Sequence, residues 1–240
     1  MFAGPNGSGK SELIKRLQAS DLPLGPVINA DVLLSNIQST GFTDLTEYGL
    51  SGVEQGDWNS ALGAIEELVT RVDKAGAIPR VQIKEDILIC NPGDLNPYTA
   101  ALIADFIRHS LIRQQKSFSF ETVMSHPSKL EFMKLAKRKG YKTYLYFIAT
   151  DDYSINLNRV KNRVRQGGHD VPEAKIKTRY NHSLDLLYTA LEAVDRAYIL
   201  DSSKRKSSVI FEKKNDGKGY VRVKNYPRWF EKYVLEKLSQ

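Results

Sequence analysis

The fold is decided by Gly4-Pro5-Asn6-Gly7-Ser8-Gly9-Lys10-Ser11, which follows the G-x-x-x-x-G-K-S pattern of a phosphate-binding loop. Its glycines allow the backbone to curl so that N–H groups point at phosphate oxygens, while Lys10 supplies a cation and Ser11 an oxygen ligand for magnesium. The apolar residues that follow have helical spacing, which predicts a helix whose N-terminus faces the phosphates. The stretch therefore predicts a nucleoside triphosphate site, and the alternative is a glycine- and serine-rich turn that arose by chance.

Only three residues, Met1, Phe2 and Ala3, precede this loop. A phosphate loop normally leaves a buried parallel strand of about five residues. The sequence therefore predicts either a very short first strand or a chain that lacks preceding residues.

Composition places the chain among ordinary globular proteins. Its 240 residues suit one large α/β domain, or one domain with an insertion, and 41% are hydrophobic and 26% charged. No apolar run approaches the roughly 20 residues that a membrane helix needs, and the N-terminus lacks the layout of a secretion signal. Cys90 is the single cysteine of the sequence, which excludes an internal disulfide. These features predict a cytoplasmic protein with no membrane partner.

Positive charge is concentrated at the end of the chain. The formal net charge is +7, and residues 201–240 carry 11 Lys and Arg against 5 Asp and Glu. A basic terminal segment is more typical of a solvated surface than of a nucleic-acid groove, so nucleic acid is an unlikely partner.

A carboxylate follows the second predicted strand. Val27-Ile28-Asn29 is interpreted as a short strand that ends at Ala30-Asp31, where open α/β sheets bind their ligands. Asp31 is a candidate general base that accepts a proton from a substrate hydroxyl. The alternative is an N-cap for a helix that begins near Val32, and the two roles can coexist.

Residues 39–97 are interpreted as an insertion near the substrate, since long irregular connections in compact domains tend to be lids or binding loops. Trp58–Lys74 has the spacing of an amphipathic helix, whereas 41–56 and 76–97 are rich in Gly, Pro, Asp and Asn. The acidic residues of this region are expected to be solvated; they are Glu85, Asp86 and Asp94. The alternative is a packing elaboration without a role at the site.

Strands and helices alternate after the insertion, as a parallel sheet requires. The predicted elements are a helix from Pro97 to about Gln115, a strand at 117–123, a helix at 129–139 and a strand at 141–150. Glu121 and Thr122 fall near the carboxyl end of the first of these strands, on the ligand side. His126 precedes a proline and is interpreted as a turn or cap residue.

Arginines lie on both arms of a predicted lid at 159–182. One helix carries Arg159 and Arg163, Arg165 follows them, the loop Gln166–Pro172 comes next, and a second helix carries Arg179. Guanidinium groups bridge phosphate oxygens and stabilise charge on a phosphoryl group in transfer. The alternative is two basic, solvated helices.

The pattern as a whole predicts an α/β fold with a mostly parallel sheet of the P-loop NTPase type, flanked by helices. Residues 1–203 form the kinase domain, with the inserted region at 39–97. Residues 204–240 form a basic β-hairpin and helix packed on the same domain. The hairpin is indicated by two strand-like stretches on either side of Asn215-Asp216-Gly217-Lys218-Gly219.

Several motifs in the same order resemble the zeta-toxin family of P-loop kinases. They are residues 3–11, Asn29-Ala30-Asp31, residues 118–129, Gly140-Tyr141, residues 166–172, Arg179-Tyr180 and Arg196-Ala197-Tyr198. The resemblance covers most of 3–201 but not the terminal hairpin and helix, and Tyr180-Asn181-His182-Ser183 lacks an arginine that many relatives have at its third position.

The resemblance implies a kinase that moves the γ-phosphate of ATP or GTP, with Mg²⁺, to a hydroxyl of UDP-N-acetylglucosamine. It implies that Lys10 and Ser11 hold phosphates and metal and that Asp31 is the base. It also implies that Glu121 and Thr122 lie on the sugar-nucleotide and metal side. The lid arginines correspond best to Arg163 and Arg179, although Arg159 or Arg165 can take either place. An antitoxin is an implied partner, and toxicity is a weaker inference than kinase activity.

Two other functions are compatible with the sequence. One is a kinase for a different metabolite on the same scaffold. The other is a nucleotide-dependent module that binds nucleic acid or a neutralising protein through the basic terminal segment.

Overall fold

The computed structural model describes residues 1–64, 79–168 and 170–238. These residues form two compact units, one of Met1–Leu22 with Glu121–Gln240 and one of Pro23–Phe120. The architecture is mixed α/β, with a mostly parallel seven-stranded sheet flanked by helices, which confirms the predicted fold class.

The strands of the described chain are short, and those of the large sheet pair mostly in parallel. The strands are β1 (Phe2–Ala3), β2 (Val27–Ile28), β3 (Phe42–Asp44), β4 (Val81–Lys84), β5 (Ile87–Cys90), β6 (Ser119–Thr122), β7 (Tyr144–Ala149), β8 (Arg196–Asp201), β9 (Ser208–Lys213) and β10 (Gly219–Val221). The large sheet has the order β10-β9-β8-β7-β1-β6-β2. Only its β9 and β10 pairings are antiparallel among those the structure describes, and they form the predicted hairpin.

The described helices include the two predicted from 97 to about 115 and at 129–139, which lie at 97–113 and 128–138. The main described helices are α1 (Lys10–Gln18), α2 (Ala30–Thr40), α3 (Gln55–Ala64), α4 (Pro97–Arg113), α5 (Ser128–Arg138), α6 (Tyr153–Arg165), α7 (Glu173–Asp185) and α8 (Leu187–Ala193). Asn96 caps α4 with its side chain, and Pro97 occupies the first turn, as expected for a residue without an N–H. The terminal segment is helical in three parts, Arg228–Phe230, Glu231–Leu235 as a π-helical turn, and Glu236–Leu238.

The core of the first unit lies on one face of β7 and β8. Leu145, Phe147, Ala197 and Ile199 are completely buried there. The terminal helical segment packs by its aromatic side chains, since the ring of Trp229 lies 6.3 Å from that of Phe147. The terminal segment therefore belongs to the core that supports the parallel strands, because it removes aromatic area from water.

The second unit contains a small sheet that the sequence analysis missed. In residues interpreted as irregular, β3, β5 and β4 form an antiparallel sheet in that order. The turn between β4 and β5 is made by Glu85 and Asp86, both with positive φ, rather than by a glycine or asparagine that would mark a hairpin. Strands of three or four residues with such a turn leave little periodicity to recognise.

Two further expectations for this region were wrong. Helix α3 begins at Gln55 rather than Trp58, and its predicted continuation to Lys74 lies mostly outside the described residues. Asp86 and Asp94 are half-buried and have structural partners, unlike exposed Glu85. Asp86 accepts hydrogen bonds from the Gly52 and Val53 amides, and Asp94 pairs with Arg80.

Candidate nucleotide site

The phosphate loop emerges at the carboxyl edge of the sheet in the first unit. There β1 pairs in parallel with Glu121 and Thr122 of β6 on one side and with β7 on the other, and β7 pairs in parallel with β8. The loops that follow these four strands therefore leave the same edge. This is the edge at which open α/β sheets bind ligands.

Two positions of the loop require glycine. Gly4 has a φ of +140°, and a Cβ there would collide with the Ile148 carbonyl. Gly7 has a φ of +74°, and its Cβ would lie 2.6 Å from the Asn156 carbonyl oxygen. The left-handed backbone and the close approach of neighbouring backbone together explain why a side chain is excluded at both positions.

Helix α1 begins directly at the end of the loop without a side-chain cap. Gly9 occupies the N-cap position in the left-handed conformation and offers no side-chain acceptor to the first turn. The first N–H groups of a helix carry a partial positive charge and need acceptors. The start of α1 is therefore suited to an anion such as a phosphate.

Lys10, Ser11 and Glu121 meet beside the loop. Lys10 as a residue is 6% exposed, and its ammonium donates to the Gly4 and Pro5 carbonyls at 2.9 Å each. The Ser11 hydroxyl donates to Glu121 Oε2 at 3.0 Å, and the Lys10 Nζ lies 3.9 Å from Glu121 Oε1. Magnesium prefers oxygen ligands. A hydroxyl oxygen and a carboxylate oxygen that lie close together can supply two of them. These residues fit a magnesium ion, although the described residues contain no group of three or more His, Cys, Asp or Glu that could hold a metal.

Two polar atoms of the loop are buried without a partner in the described chain. They are Ser8 Oγ and Asn6 Oδ1. Ser8 is completely buried and Asn6 nearly so. A buried polar atom without a hydrogen bond costs about 1–3 kcal/mol, so its presence in a loop of this shape fits a site that a polar ligand completes.

Three side chains donate hydrogen bonds to the backbone of the phosphate loop, and the sequence analysis did not connect them with it. Asn156 on α6 donates to the Asn6 carbonyl at 2.8 Å, and the Ser202 hydroxyl, just after β8, donates to the Ser8 carbonyl at 2.6 Å. Arg159 was considered as a lid arginine, but its guanidinium donates to the carbonyls of Ser202 and Lys204 and to Gly7. A hydrogen bond from a distant side chain to a backbone carbonyl leaves no regular spacing in the sequence. No motif therefore revealed these contacts.

Asp31 lies in the second unit, in the first turn of α2. The N-cap of this helix is Asn29, whose side chain accepts hydrogen bonds from the Asp31 and Val32 amides at 2.8 and 3.4 Å. The alternative role of Asp31 as N-cap was therefore wrong, because Asn29 already occupies that position and the helix begins at Ala30. The Asp31 carboxylate is exposed and adds a negative charge near the positive end of the helix dipole.

Thr122 shapes the loop after β6. Its hydroxyl oxygen accepts a hydrogen bond from the Met124 amide at 3.1 Å, and Met124 has a φ of +54° although it is not glycine. The Val123 carbonyl accepts a hydrogen bond from Ser183 on α7. His126 bonds to Ser128 at the start of α5, as expected for a turn residue.

The predicted lid at 159–182 falls on α6, α7 and the loop between them, and these pack around an apolar cluster. Val160, Val171 and Ile176 are buried together with Leu157 against them. Arg163 and Arg165 are exposed and Arg179 is half-buried. The connecting loop folds back on α6, since the Gly168 amide donates to the Arg163 carbonyl at 3.0 Å. His169, in the middle of the predicted loop motif, lies outside the described residues.

Tyr180 attaches α7 to the edge of the sheet by a hydrogen bond. Its hydroxyl donates to the Thr150 carbonyl at 2.7 Å, directly after β7. Burial, followed by the nearby negative charges of Asp152 and Asp151, raises the pKa of Tyr180. The hydroxyl therefore stays protonated as a donor over the physiological pH range.

Comparison with known proteins supports the fold. No protein-family model matches the chain. An uncharacterized protein of Haemophilus influenzae is 39% identical over 72 residues, which are 30% of this chain and 51% of that protein. Crystal structures of AvrRxo1-ORF1 with AvrRxo1-ORF2, one with sulphate ions and one with ATP, align over 97% of this chain with a TM-score of 0.59 and 14% identity. A structure of the PezAT chromosomal toxin-antitoxin system of Streptococcus pneumoniae aligns over 98% of this chain and 77% of its own, with a TM-score of 0.49 and 12% identity.

The chain spans about half of the Haemophilus protein and 62% of the AvrRxo1 chain. At 14% identity the AvrRxo1 likeness shows a shared fold. Within the described residues, no helix is both long and apolar enough to cross a membrane.

Proposed function

We propose that the chain is a nucleotide-dependent kinase that transfers the γ-phosphate of ATP or GTP to a hydroxyl group. The observation that carries this proposal is the convergence of Lys10, Ser11 and Glu121 beside a glycine loop whose helix starts uncapped. A phosphoryl donor needs positioning and neutralisation of its charge, and this arrangement offers both. A fold shared with a protein crystallised with ATP adds support.

Ser11 and Glu121 would hold the magnesium ion that accompanies the nucleotide. When bound, the metal supplies positive charge to the phosphates. Lys10 would then turn its ammonium from the Gly4 and Pro5 carbonyls towards the phosphate oxygens, which it can do because its stem is flexible and carries three donors. Glu121 places a carboxylate 3.9 Å from the Lys10 ammonium, on the side where the metal would be held.

The remaining roles rest on the resemblance and on residue chemistry. Asp31 would accept the proton of the acceptor hydroxyl, and its exposed carboxylate is not used as a helix cap. Arg163 and Arg179 would neutralise charge on the transferred group. Thr122 would contact the acceptor from the loop after β6, with Glu121 beside it.

The proposed acceptor is a sugar nucleotide, specifically UDP-N-acetylglucosamine. The test is a nucleotide-consumption assay with ATP and with GTP, in the presence and absence of that acceptor. We expect consumption to rise severalfold with the acceptor and a phosphorylated sugar nucleotide to accumulate. Consumption that rises with a different alcohol in a panel of labelled-ATP reactions would keep the kinase and replace the acceptor. An absence of ATP and GTP binding would reject the kinase itself.

A neutralising protein is proposed as partner and the cytoplasm as location. The partner proposal is supported by the AvrRxo1 structures, which contain two different chains, and the location by the need for ATP or GTP. Toxicity is tested by controlled expression of the wild type and of Lys10→Ala. Growth arrest that the variant does not cause would link harm to the nucleotide site, whereas equal growth of both strains would contradict toxicity.

A further inference from the structure

Three consecutive carbonyl groups of the phosphate loop accept hydrogen bonds from side chains far away in the sequence. Asn6 O accepts from Asn156 Nδ2 at 2.8 Å, Gly7 O from Arg159 Nη1 at 3.5 Å, and Ser8 O from Ser202 Oγ at 2.6 Å. This set of donors, Asn156, Arg159 and Ser202, is called the loop support below. It contacts the side of the loop formed by the carbonyl groups.

The other carbonyl groups of the loop have partners inside the motif itself. Gly4 O and Pro5 O accept from the Lys10 ammonium, Pro5 O also accepts from the Ser8 amide at 3.3 Å, and Gly9 O accepts from the Leu13 amide as the first bond of α1. All six carbonyl groups from Gly4 to Gly9 are thus accounted for, as buried backbone requires. The Gly4 carbonyl depends on a side chain that is also expected to bind phosphate, whereas the Pro5 carbonyl keeps the Ser8 amide as a second donor.

The members of the loop support are themselves held in place. Arg159 donates to Ser202 O at 2.6 Å and to Ser202 Oγ at 3.2 Å, so one guanidinium fixes both the backbone and the hydroxyl of its neighbour. Asn156 is completely buried, and its Oδ1 pairs with the hydroxyl of Thr150, which is also completely buried. A buried network in which each member is satisfied has few alternative arrangements.

The orientation of a carbonyl group fixes the orientation of the next amide. In a planar trans peptide, the C=O and the following N–H point in opposite directions. Holding Asn6 O and Ser8 O against Asn156 and Ser202 therefore turns the N–H groups of Gly7 and Gly9 to the other side of the loop. That side is the concave one from which loops of this type bind phosphate.

We propose that Asn156, Arg159 and Ser202 are positioning residues that keep the loop in its phosphate-binding conformation. Their contribution is greatest when Lys10 leaves the Gly4 and Pro5 carbonyls for a phosphate, because the loop support is then the side-chain restraint that remains on the loop. The inference rests on the proposed function only in that the loop binds a polyphosphate. It also links the loop to the lid, because Asn156 and Arg159 lie on α6 together with Arg163.

The test uses the full chain and inorganic tripolyphosphate, which probes the phosphate loop without a base, a sugar or an acceptor. Binding is measured by calorimetry for the wild type, Ser202→Ala, Ser202→Thr and Asn156→Ala. Loss of one hydrogen bond to the loop is expected to weaken binding about 10-fold in Ser202→Ala. Ser202→Thr retains the hydroxyl and should restore most of the affinity, while Asn156→Ala should weaken binding at least as much as Ser202→Ala. The matched control is Asn158→Ala, an exposed asparagine on the same helix, which should bind like the wild type.

A second readout separates positioning from a purely structural role. The thermal midpoint without ligand is measured for each variant, together with the KM for ATP and the kcat at saturation. Positioning predicts a raised KM with kcat changed less than about 3-fold, and weaker tripolyphosphate binding even in variants that are fully folded at the assay temperature. If Asn156→Ala does not fold, the same measurements on Ser202→Ala and Arg159→Lys test the proposal.

The outcomes have distinct consequences. Folded variants that bind tripolyphosphate as tightly as the wild type would overturn the positioning role and leave the kinase proposal intact. A wild type that binds neither tripolyphosphate nor ATP would overturn the proposed function, and this inference with it. Weakened binding that Ser202→Thr does not restore would show that packing at Ser202, and not its hydroxyl, matters, and would also overturn the role of that residue.

Discussion

Two strand-to-helix junctions in the chain begin with strands of equal length but differ in how the helix starts. In the first unit, β1 has two residues and leads through six loop residues to α1, whose N-cap is Gly9 without a side-chain acceptor. In the second unit, β2 also has two residues and leads through a single residue to α2, whose N-cap Asn29 accepts hydrogen bonds from two amides. Both helices therefore follow a short parallel strand, yet only α2 has a side-chain cap.

The difference separates a helix start that is suited to an anion from one whose first amides already have a side-chain acceptor. A helix start with its own cap has satisfied its first amides and gains little from an added anion. A helix start without a cap, preceded by a loop whose carbonyl groups are turned away and paired, presents amides to a ligand. In the capped junction, Asn29 performs the capping, so the carboxylate of Asp31 is available for chemistry.

The largest expected effect on nucleotide affinity is at the uncapped junction. Lys10→Ala removes the cation beside the loop, and ATP affinity should fall about 100-fold, the size of a charged hydrogen bond lost. The measurement is an equilibrium titration with a fluorescent ATP analogue. Lys15→Ala, which removes an exposed lysine of the same helix, is the control and should leave the affinity unchanged. Equal affinities of Lys10→Ala and the wild type would mean that the nucleotide binds elsewhere.

The loop backbone is tested by a pair of glycine substitutions. Gly7 and Gly41 both have left-handed φ values, +74° and +81°, but a Cβ would meet the Asn156 carbonyl only at Gly7 and nothing within 4 Å at Gly41. Both should lose about 1 kcal/mol to backbone strain. Gly7→Ala should lose about 2 kcal/mol more, because the Asn156 backbone must shift. Chemical denaturation measures the free energy of unfolding, and equal losses would show that the loop tolerates a side chain.

The metal side of the uncapped junction is tested at Glu121. Glu121→Gln keeps the size of the side chain but removes the charge beside Ser11 and Lys10. The Mg²⁺ concentration that gives half-maximal nucleotide consumption should rise about 10-fold. Glu131→Gln on α5, an exposed carboxylate, serves as the control. An unchanged magnesium requirement in Glu121→Gln would remove Glu121 from the metal site.

The smallest effect is expected from the side-chain cap of α2 itself. Asn29→Ala removes the N-cap of α2 and should lower the free energy of unfolding by about 1 kcal/mol without changing ATP affinity. Asn36→Ala, at an exposed position within the same helix, should be neutral or slightly stabilising because alanine has the higher helix propensity. If Asn29→Ala abolished ATP binding, the two junctions would not differ in role as described.

The sequence revealed the features that depend on local spacing. The phosphate loop, the start of α4 at Pro97, the alternation of strands and helices after residue 97, and the terminal hairpin all follow from residues close together in the chain. Each of these features depends on the backbone conformation that particular residues favour or on the spacing of apolar residues. Both can be recognised from neighbouring residues in the sequence.

What the sequence did not reveal depends on distant contacts or on unusual turns. Asn156 and Ser202 contact the loop across 150 and 194 residues of chain, and no residue pattern announces a hydrogen bond to a carbonyl group. The small sheet escaped because its turn at Glu85-Asp86 has positive φ without glycine. At the capped junction, either Asn29 or Asp31 was chemically able to cap α2, and the choice depends on where the helix begins.

The most direct measurement is the transfer of labelled γ-phosphate from ATP by Asp31→Asn, compared with the wild type at equal and saturating nucleotide occupancy. The substitution keeps the shape of the side chain and the Asn29 cap, but it removes the proton acceptor. The account predicts that the transfer rate falls about 1,000-fold while the ATP dissociation constant changes less than about 3-fold. Transfer at a near-normal rate by the nucleotide-bound variant would contradict the division of roles between the two junctions.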